Sequence, residues 1–104
     1  MLTEKMDSRT EDIIEDMKRV ISEIAADYYI SKASLFGSRA DGTNREDSDI
    51  DLIIEFKKPV TLLMLSRLKI YMEGVKGLKV DVVHGPIRET DMIELGKVIE
   101  LYAA

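Results

Sequence analysis

The 104-residue sequence has no cysteine, one histidine and two prolines. Without cysteine the chain forms neither a disulfide bond nor a thiolate metal site, which is compatible with a reducing compartment. No apolar run approaches the ~18 residues of a membrane helix, and no basic start leads into the apolar segment of a secretion signal. We therefore expect a cytoplasmic protein with no membrane partner.

Positive charge is also scarce, because 15 Lys and Arg stand against 20 Asp and Glu. The formal net charge is −5 and the pI about 4.9. Nucleic-acid-binding domains normally carry an excess of Lys and Arg, so we expect no nucleic-acid partner. A small anionic ligand held together with metal ions is compatible with this charge. By length, the chain predicts one domain over residues 1–104.

Apolar spacing predicts three helices and three strands. The first helix is predicted at Ser8 to Tyr29, with Ser8 and Glu11 as a capping box, and its apolar stripe consists of Ile13, Met17, Ile21, Ile24 and Tyr28. Strands are predicted at Ala33 to Phe36, Ile50 to Phe56 and Leu78 to Val83. A second helix is predicted to begin at Pro59 and end at Gly74, and a last helix to cover Thr90 to Tyr102. This order indicates an α/β (α+β) fold, a small mixed β-sheet with helices packed against it.

The most informative stretch is LFGSRADGTNREDSDIDLIIEF, residues 35–56. Side chains alternate faces along a strand, so Asp49 and Asp51 share one face, roughly 6.5 Å apart at Cα. Both carboxylates can therefore lean toward one divalent cation, and Mg²⁺ usually binds through one or two carboxylates plus substrate phosphates. The other face, formed by Ile50, Leu52, Ile54 and Phe56, is apolar and should pack on helices.

Asp81 lies among apolar residues of the third predicted strand, where an isolated carboxylate is costly unless it has a partner. If the two strands are neighbours, Asp81 completes a three-carboxylate cluster with Asp49 and Asp51. Two other interpretations of these three acidic residues stay open: they are solvated, or they cap turns. A calcium loop starting at Asp47 fails, because an EF-hand needs Gly after its third ligand and Glu at position twelve, where Lys58 stands.

Gly37 and Ser38 form a turn just upstream of the acidic pair. Glycine lets a backbone approach a phosphate closely, and backbone N–H groups of a turn bind anions. Ser38 adds a hydroxyl donor and Arg39 a positive charge. The sequence contains no Walker loop, since no G-x-x-x-x-G-K-[ST] occurs. A Gly-Ser pair alone is weak evidence for a phosphate-binding turn. Its value here comes from the Asp-x-Asp that follows it in the sequence.

These residues together resemble the DNA polymerase β nucleotidyltransferase superfamily, and within it the minimal nucleotidyltransferase (MNT) branch, whose small members are often paired with HEPN-domain proteins. That branch reads roughly G-S-R-A-x-G, a variable loop, S-D-x-D-L, and a third Asp on a later strand. This sequence has GSRADG at 37–42, SDIDL at 48–52 and VDVV at 80–83. It departs from the pattern at Asp41, where many members carry a second Arg.

The resemblance implies a palm-like α/β fold and transfer of a nucleoside monophosphate, AMP from ATP, to a hydroxyl acceptor. It implies that Asp49, Asp51 and Asp81 bind two Mg²⁺ ions, that Asp81 helps to take the acceptor proton, and that Gly37, Ser38 and Arg39 bind the nucleotide. The expected acceptor is a tyrosine of a HEPN-type toxin, so that the chain acts as an antitoxin in a homo- or hetero-oligomer.

Two other function classes stay open at this point. The chain acts as a non-catalytic antitoxin that neutralises its partner by binding alone, or it is a nucleotide-binding module without turnover. His84, the only histidine, is expected to be a turn residue rather than a ligand or general base.

Overall fold

The computed structural model describes residues 8–45, 48–86 and 97–104. Among them the chain forms three helices and four strands. They are α1 (Ser8–Ile24), β1 (Ile30–Phe36), α2 (Ser38–Asp41), β2 (Ile50–Phe56), α3 (Leu62–Lys76), β3 (Val80–His84) and β4 (Ile99–Ala103).

The four strands form one mixed sheet in the order β3-β2-β1-β4. Strand β1 is antiparallel to both of its neighbours, whereas β2 and β3 are parallel. Helices pack against this sheet, so the predicted fold class, a small mixed sheet covered by helices, is confirmed.

The core lies between one face of the sheet and the helices α1 and α3. In β2 the side chains of Ile50, Leu52 and Ile54 are all fully buried, as strand alternation predicted. From α1 the same core receives Met17 and Ile21, which are fully buried, and from α3 it receives Leu68 and Met72. Burying each such side chain contributes about 1.5–3 kcal/mol, so this face fixes the orientation of β2. The opposite face of β2 therefore carries its acidic residues.

Helix α1 ends at Ile24, five residues before the predicted end at Tyr29. The chain leaves the helix in a turn in which the Ile30 N–H donates to the Ala25 carbonyl at 2.9 Å, and Tyr29 takes a positive φ of 56°. Tyr28 still packs on the core, which explains why the apolar spacing continued past the helix. The side chain of Ser8, and with it the predicted capping box, lies outside the described part.

Helix α3 is shifted toward the C-terminus relative to its predicted bounds at Pro59 and Gly74. It begins after Thr61, whose hydroxyl accepts from the Met64 N–H at 3.1 Å, an N-cap that satisfies one of the unpaired donors of the first turn. It ends at Gly77, which has a φ of 68° and donates its N–H to the Glu73 carbonyl. Gly74 lies inside the helix, so the prediction chose the wrong glycine as the terminator.

The predicted last helix, Thr90 to Tyr102, is wrong over its final part. Residues 97 and 98 have no regular structure, and Ile99–Ala103 is strand β4, paired with β1. The sequence IELYA alternates apolar and other residues at the period of a strand, and Leu101 points into the core, 6% exposed. Residues 90–96 lie outside the described part of the chain. Strand β3 also differs by a small shift, Val80–His84 against the predicted Leu78 to Val83.

Across the described ranges, none of the helices combines the length and the apolar character needed to span a bilayer.

Candidate nucleotidyltransferase site

The chain directions of three strands bring the predicted site residues to one end of the sheet. Because β1 is antiparallel to β2, the end of β1 lies beside the start of β2, and Phe36 pairs with Asp51. Because β3 is parallel to β2, its start lies at the same end, and Asp81 pairs with Asp51. Neighbouring strands lie about 4.8 Å apart, so the two carboxylates start from adjacent positions on one face. The condition stated from the sequence, that the two strands are neighbours, is therefore met.

Gly37, directly after β1, lies against the Asp51 side chain. Its backbone has φ 77° and ψ −156°, a conformation that is essentially restricted to glycine. A Cβ atom at this position would lie 2.5 Å from Asp51 Oδ2, closer than such atoms ever approach. The structure thus requires glycine here for two reasons, the backbone conformation and the room that it leaves for the carboxylate.

The environment of Asp51 disfavours its charged form. Partial burial raises the pKa of this carboxyl, and the negative charges of Asp81 and Asp49 raise the pKa further. A cation placed between these groups would remove the repulsion, and their all-oxygen chemistry suits Mg²⁺. Asp51 in β2 and Asp49, which directly precedes Ile50, therefore fit a divalent cation by donor type.

Asp81, besides lying next to Asp51, forms an ion pair with a residue of α3. Its Oδ1 lies 3.8 Å from Lys69 Nζ, an ion pair between two half-exposed side chains. Within residues 8–45, 48–86 and 97–104, no three Asp, Glu or His side chains form a set arranged to hold a metal ion. Asp49, Asp51 and Asp81 therefore lie near one another, with Asp81 also paired with Lys69, and their assignment as metal ligands stays a prediction.

Arg39 is buried, 1% exposed, in the short helix α2. Its guanidinium donates to the carbonyl oxygen of Ser48 twice, from Nε at 3.1 Å and from Nη2 at 2.8 Å. Ser48 in turn exchanges hydrogen bonds with Arg45, accepting at its hydroxyl from the Arg45 N–H at 2.7 Å. Arg39 therefore ties the turn that follows β1 to the residue that precedes Asp49.

Three other residues were discussed from the sequence, namely Ser38, His84 and Asp41. Ser38 begins α2 next to Gly37 and is half-buried. His84 ends β3, with its ring stacked on Phe56 at 5.2 Å between centroids, and is mostly exposed. The side chain of Asp41 lies outside the described part.

Sequence reasoning missed Lys69 and the anchoring role of Arg39. Lys69 lies on α3 and reaches Asp81 on β3, a contact between separate elements that no local pattern indicates. Arg39 was recognised only as a positive charge, because its burial depends on how α2 packs against β1.

Comparison with known proteins identifies the family and the relatives of this chain. The family model of the nucleotidyltransferase domain matches residues 7–101. A candidate protein adenylyltransferase of Methanocaldococcus jannaschii is 43% identical over 70 residues, 67% of this chain and 75% of that protein.

Two solved structures share the fold. One is a crystal structure of a toxin–antitoxin complex with AMP-PNP, with a TM-score of 0.67 and 20% identity, covering 84% of this chain and 73% of that one. The other is a tri-AMPylated Shewanella oneidensis HEPN toxin in complex with an MNT antitoxin, with a TM-score of 0.62 and 16% identity, covering 88% and 73%. With a family model spanning nearly all of its length and its Gly-Ser turn and acidic pair at one end of the sheet, the chain belongs to the nucleotidyltransferase domain family.

Proposed function

We propose that this chain transfers AMP from ATP to a hydroxyl group of a HEPN-type toxin protein, a tyrosine hydroxyl in the first instance, and thereby acts as its antitoxin. Three similarities support the proposal: the candidate protein adenylyltransferase, the fold shared with a complex that contains AMP-PNP, and the fold shared with an MNT antitoxin bound to an AMPylated HEPN toxin. The observation in this chain that carries it is the contact of Gly37 with Asp51.

That contact joins the two halves of the site. A turn that binds phosphate must lie beside the carboxylates that hold the cation, because the cation is shared with the phosphates. Here the turn and the carboxylate touch, with no room for even one methyl group between them. In the proposed site Gly37 and Ser38 hold the β- and γ-phosphates through backbone N–H groups and the Ser38 hydroxyl.

Asp49 and Asp51 are the residues that would hold Mg²⁺. When bound, the cation neutralises the phosphates and the developing charge of the leaving group. Asp51 gains most from it, since its carboxyl has a raised pKa from burial and two neighbouring negative charges. Arg39 is assigned a positioning role toward Asp49, through its two hydrogen bonds to Ser48, in addition to the predicted attraction of nucleotide.

The reaction is a single displacement at phosphorus. The acceptor oxygen forms a bond to the α-phosphorus of ATP, the bond from that phosphorus to the bridging oxygen of the β-phosphate breaks, and pyrophosphate leaves. The acceptor proton passes to the Asp81 carboxylate, which borders the site at the start of β3. Most of the rate gain then comes from holding the reacting groups in place and from neutralising charge.

One observation favours a second candidate, neutralisation by binding alone. Asp81 is paired with Lys69, and the three carboxylates do not converge on one point. A chain that kept this arrangement in the presence of nucleotide would bind ATP and a partner with little transfer.

The test uses ATP labelled at the α-phosphate or at the γ-phosphate, with a co-expressed HEPN-domain protein as acceptor. The proposal predicts that only the α-label becomes bound to the acceptor, because AMP is transferred and pyrophosphate leaves. Asp49→Asn should abolish labelling but keep the complex, whereas Asp27→Asn, the same change at an exposed acidic residue, should label normally. A complex that silences its partner without α-label establishes the binding-only candidate instead.

A further inference from the structure

A cavity of about 370 Å³ lies at the β3 edge of the sheet, between β3 and the N-terminal half of α3. Its lining combines apolar and polar side chains, namely Leu62, Leu65, Val82, Ser66, Lys69, Asp81 and His84. Ligand pockets range over roughly 300–1,000 Å³, so this cavity is at the small end. It suits a group of the size of one aromatic ring better than a whole nucleoside triphosphate.

The cavity and the Gly-Ser turn lie on opposite sides of Asp51. In the sheet, β2 stands between β1 and β3, and Gly37 follows β1, where it contacts Asp51. Asp81 is the cross-strand partner of Asp51 and also part of the cavity lining. A hydroxyl held in the cavity is thus next to Asp81, on the side away from the phosphate-binding turn.

We propose that this cavity binds the phenol ring of the acceptor tyrosine, an assignment that rests on the proposed function and names its acceptor site. A tyrosine has an apolar ring and a polar tip, and the cavity has walls of the same two kinds. Leu62, Leu65 and Val82 supply the apolar walls, and Ser66, Lys69, Asp81 and His84 supply the polar ones. The Asp81 carboxylate accepts the hydrogen bond of the hydroxyl that attacks ATP.

Lys69 supplies a positive charge beside the hydroxyl in this arrangement. Its ammonium group lies 3.8 Å from Asp81 Oδ1 and belongs to the same cavity lining. As the hydroxyl proton leaves, negative charge grows on the phenol oxygen beside this cation. The ion pair of Asp81 with Lys69 thereby becomes part of the acceptor site.

The rim of the cavity indicates that the ring arrives on a protein. Leu62 is 83% exposed and the adjacent Leu63 is 62% exposed, unusually high for large apolar side chains at the start of a helix. A free small molecule inside the cavity would cover part of Leu62 but would leave Leu63, which is outside the lining, in water. A protein surface that inserts a tyrosine would cover them, as anchors of protein interfaces do.

Nuclear magnetic resonance of the ¹⁵N-labelled chain tests the assignment directly. The probe is N-acetyl-L-tyrosinamide, with N-acetyl-L-serinamide as a hydroxyl control that lacks the ring, and Mg²⁺ with ATP as the nucleotide. We expect the tyrosine probe to shift the backbone amide signals of Ser66, Lys69 and Val82 with a Kd on the order of millimolar, typical of a fragment of that size. The serine probe should not shift them, and the nucleotide should shift Gly37 and Ser38.

A matched pair of variants supports the titration. Ser66→Trp places an indole in the cavity from an exposed helix position, so it should raise the Kd for the tyrosine probe at least tenfold and leave nucleotide binding unchanged. Ser22→Trp makes the same change at an exposed residue of α1 outside the cavity lining and should alter neither. With a HEPN-domain acceptor, Ser66→Trp should lower AMP transfer by the same factor.

The outcomes separate the acceptor from the nucleobase, which is also a flat ring. If Mg²⁺-ATP shifts the cavity amides, or if Ser66→Trp weakens ATP binding tenfold, the cavity holds adenine and the proposal is overturned. If the tyrosine probe shifts no cavity amide up to its solubility limit, the proposal is likewise overturned. Failure of the proposed function would look different, since no shift at Gly37 and Ser38 and no transfer of AMP would be observed.

Discussion

Replacing Gly37 by alanine should damage the site through both the backbone and Asp51. The backbone at φ 77° and ψ −156° is essentially a glycine conformation, and a side chain there costs about 1–3 kcal/mol. The new Cβ would also lie 2.5 Å from Asp51 Oδ2, so the carboxylate must leave its present rotamer, at a cost of about 0.5–1.5 kcal/mol. We expect Gly37→Ala to lower the free energy of unfolding by about 1.5–4.5 kcal/mol and to abolish AMP transfer.

A double-mutant cycle isolates the contact with Asp51. In the background of Asp51→Ala the clashing oxygen is absent, so Gly37→Ala should cost only the backbone part, about 1–3 kcal/mol. Urea denaturation of the four proteins gives the coupling energy between the two positions. Gly42→Ala is the matched control, because Gly42 also has a positive φ, 84°, but no atom of the described residues lies within 4 Å of where its Cβ would stand. It should show no coupling with Asp51. Equal costs of Gly37→Ala in both backgrounds would refute the argued contact.

Three further predictions concern stability. Asp51→Asn should stabilise the protein at pH 7, because the raised pKa of Asp51 means that its ionised form is unfavourable in the folded state. The gain in stability should shrink as the pH falls through that raised pKa. A variant that is less stable than the unaltered chain at every pH in urea denaturation would contradict this prediction. Gly74→Ala, inside helix α3, should raise the free energy of unfolding by up to about 1 kcal/mol. Gly77→Ala, at the left-handed residue that ends the same helix, should lower it by a similar amount. Thermal denaturation in which both variants shift the melting temperature in the same direction would contradict the assigned helix end. Arg39→Lys should cost about 1.5–3 kcal/mol, because a single ammonium cannot reproduce the guanidinium fork; an unchanged urea midpoint would show that the hydrogen bonds to the carbonyl of Ser48 are dispensable.

Much of the architecture was predictable because the strongest patterns are local. Strand β2 was predicted with its observed bounds, since alternation along IDLIIEF leaves one face apolar and fully buried. The proximity of Asp81 to Asp51 was predicted as a condition, that β2 and β3 are neighbours, and the parallel register meets it. The assignment of Asp49, Asp51 and Asp81 to metal and catalysis stays a prediction.

The prediction errors arose where contacts between distant parts of the chain determine the local structure. The apolar spacing of Ile99 and Tyr102 fits a helix as well as a strand, and the pairing of β4 with β1, nearly 70 positions away, selected the strand. The end of α3 depended on which of two glycines could take a positive φ in the folded chain, and Gly77 is the one that does. The pairing of Lys69 with Asp81 is likewise set by how α3 packs on β3.

The central claim, that Asp49 and Asp51 serve transfer of AMP to a protein hydroxyl, is tested most directly by the intact mass of the acceptor. A HEPN-domain protein incubated with this chain, ATP and Mg²⁺ should become heavier by one or more AMP units. With Asp49→Asn/Asp51→Asn its mass should stay unchanged although the complex still forms, and with Asp27→Asn it should increase as with the unaltered chain. An acceptor that gains AMP units equally with the double variant would contradict the account, because transfer would then proceed without the two carboxylates.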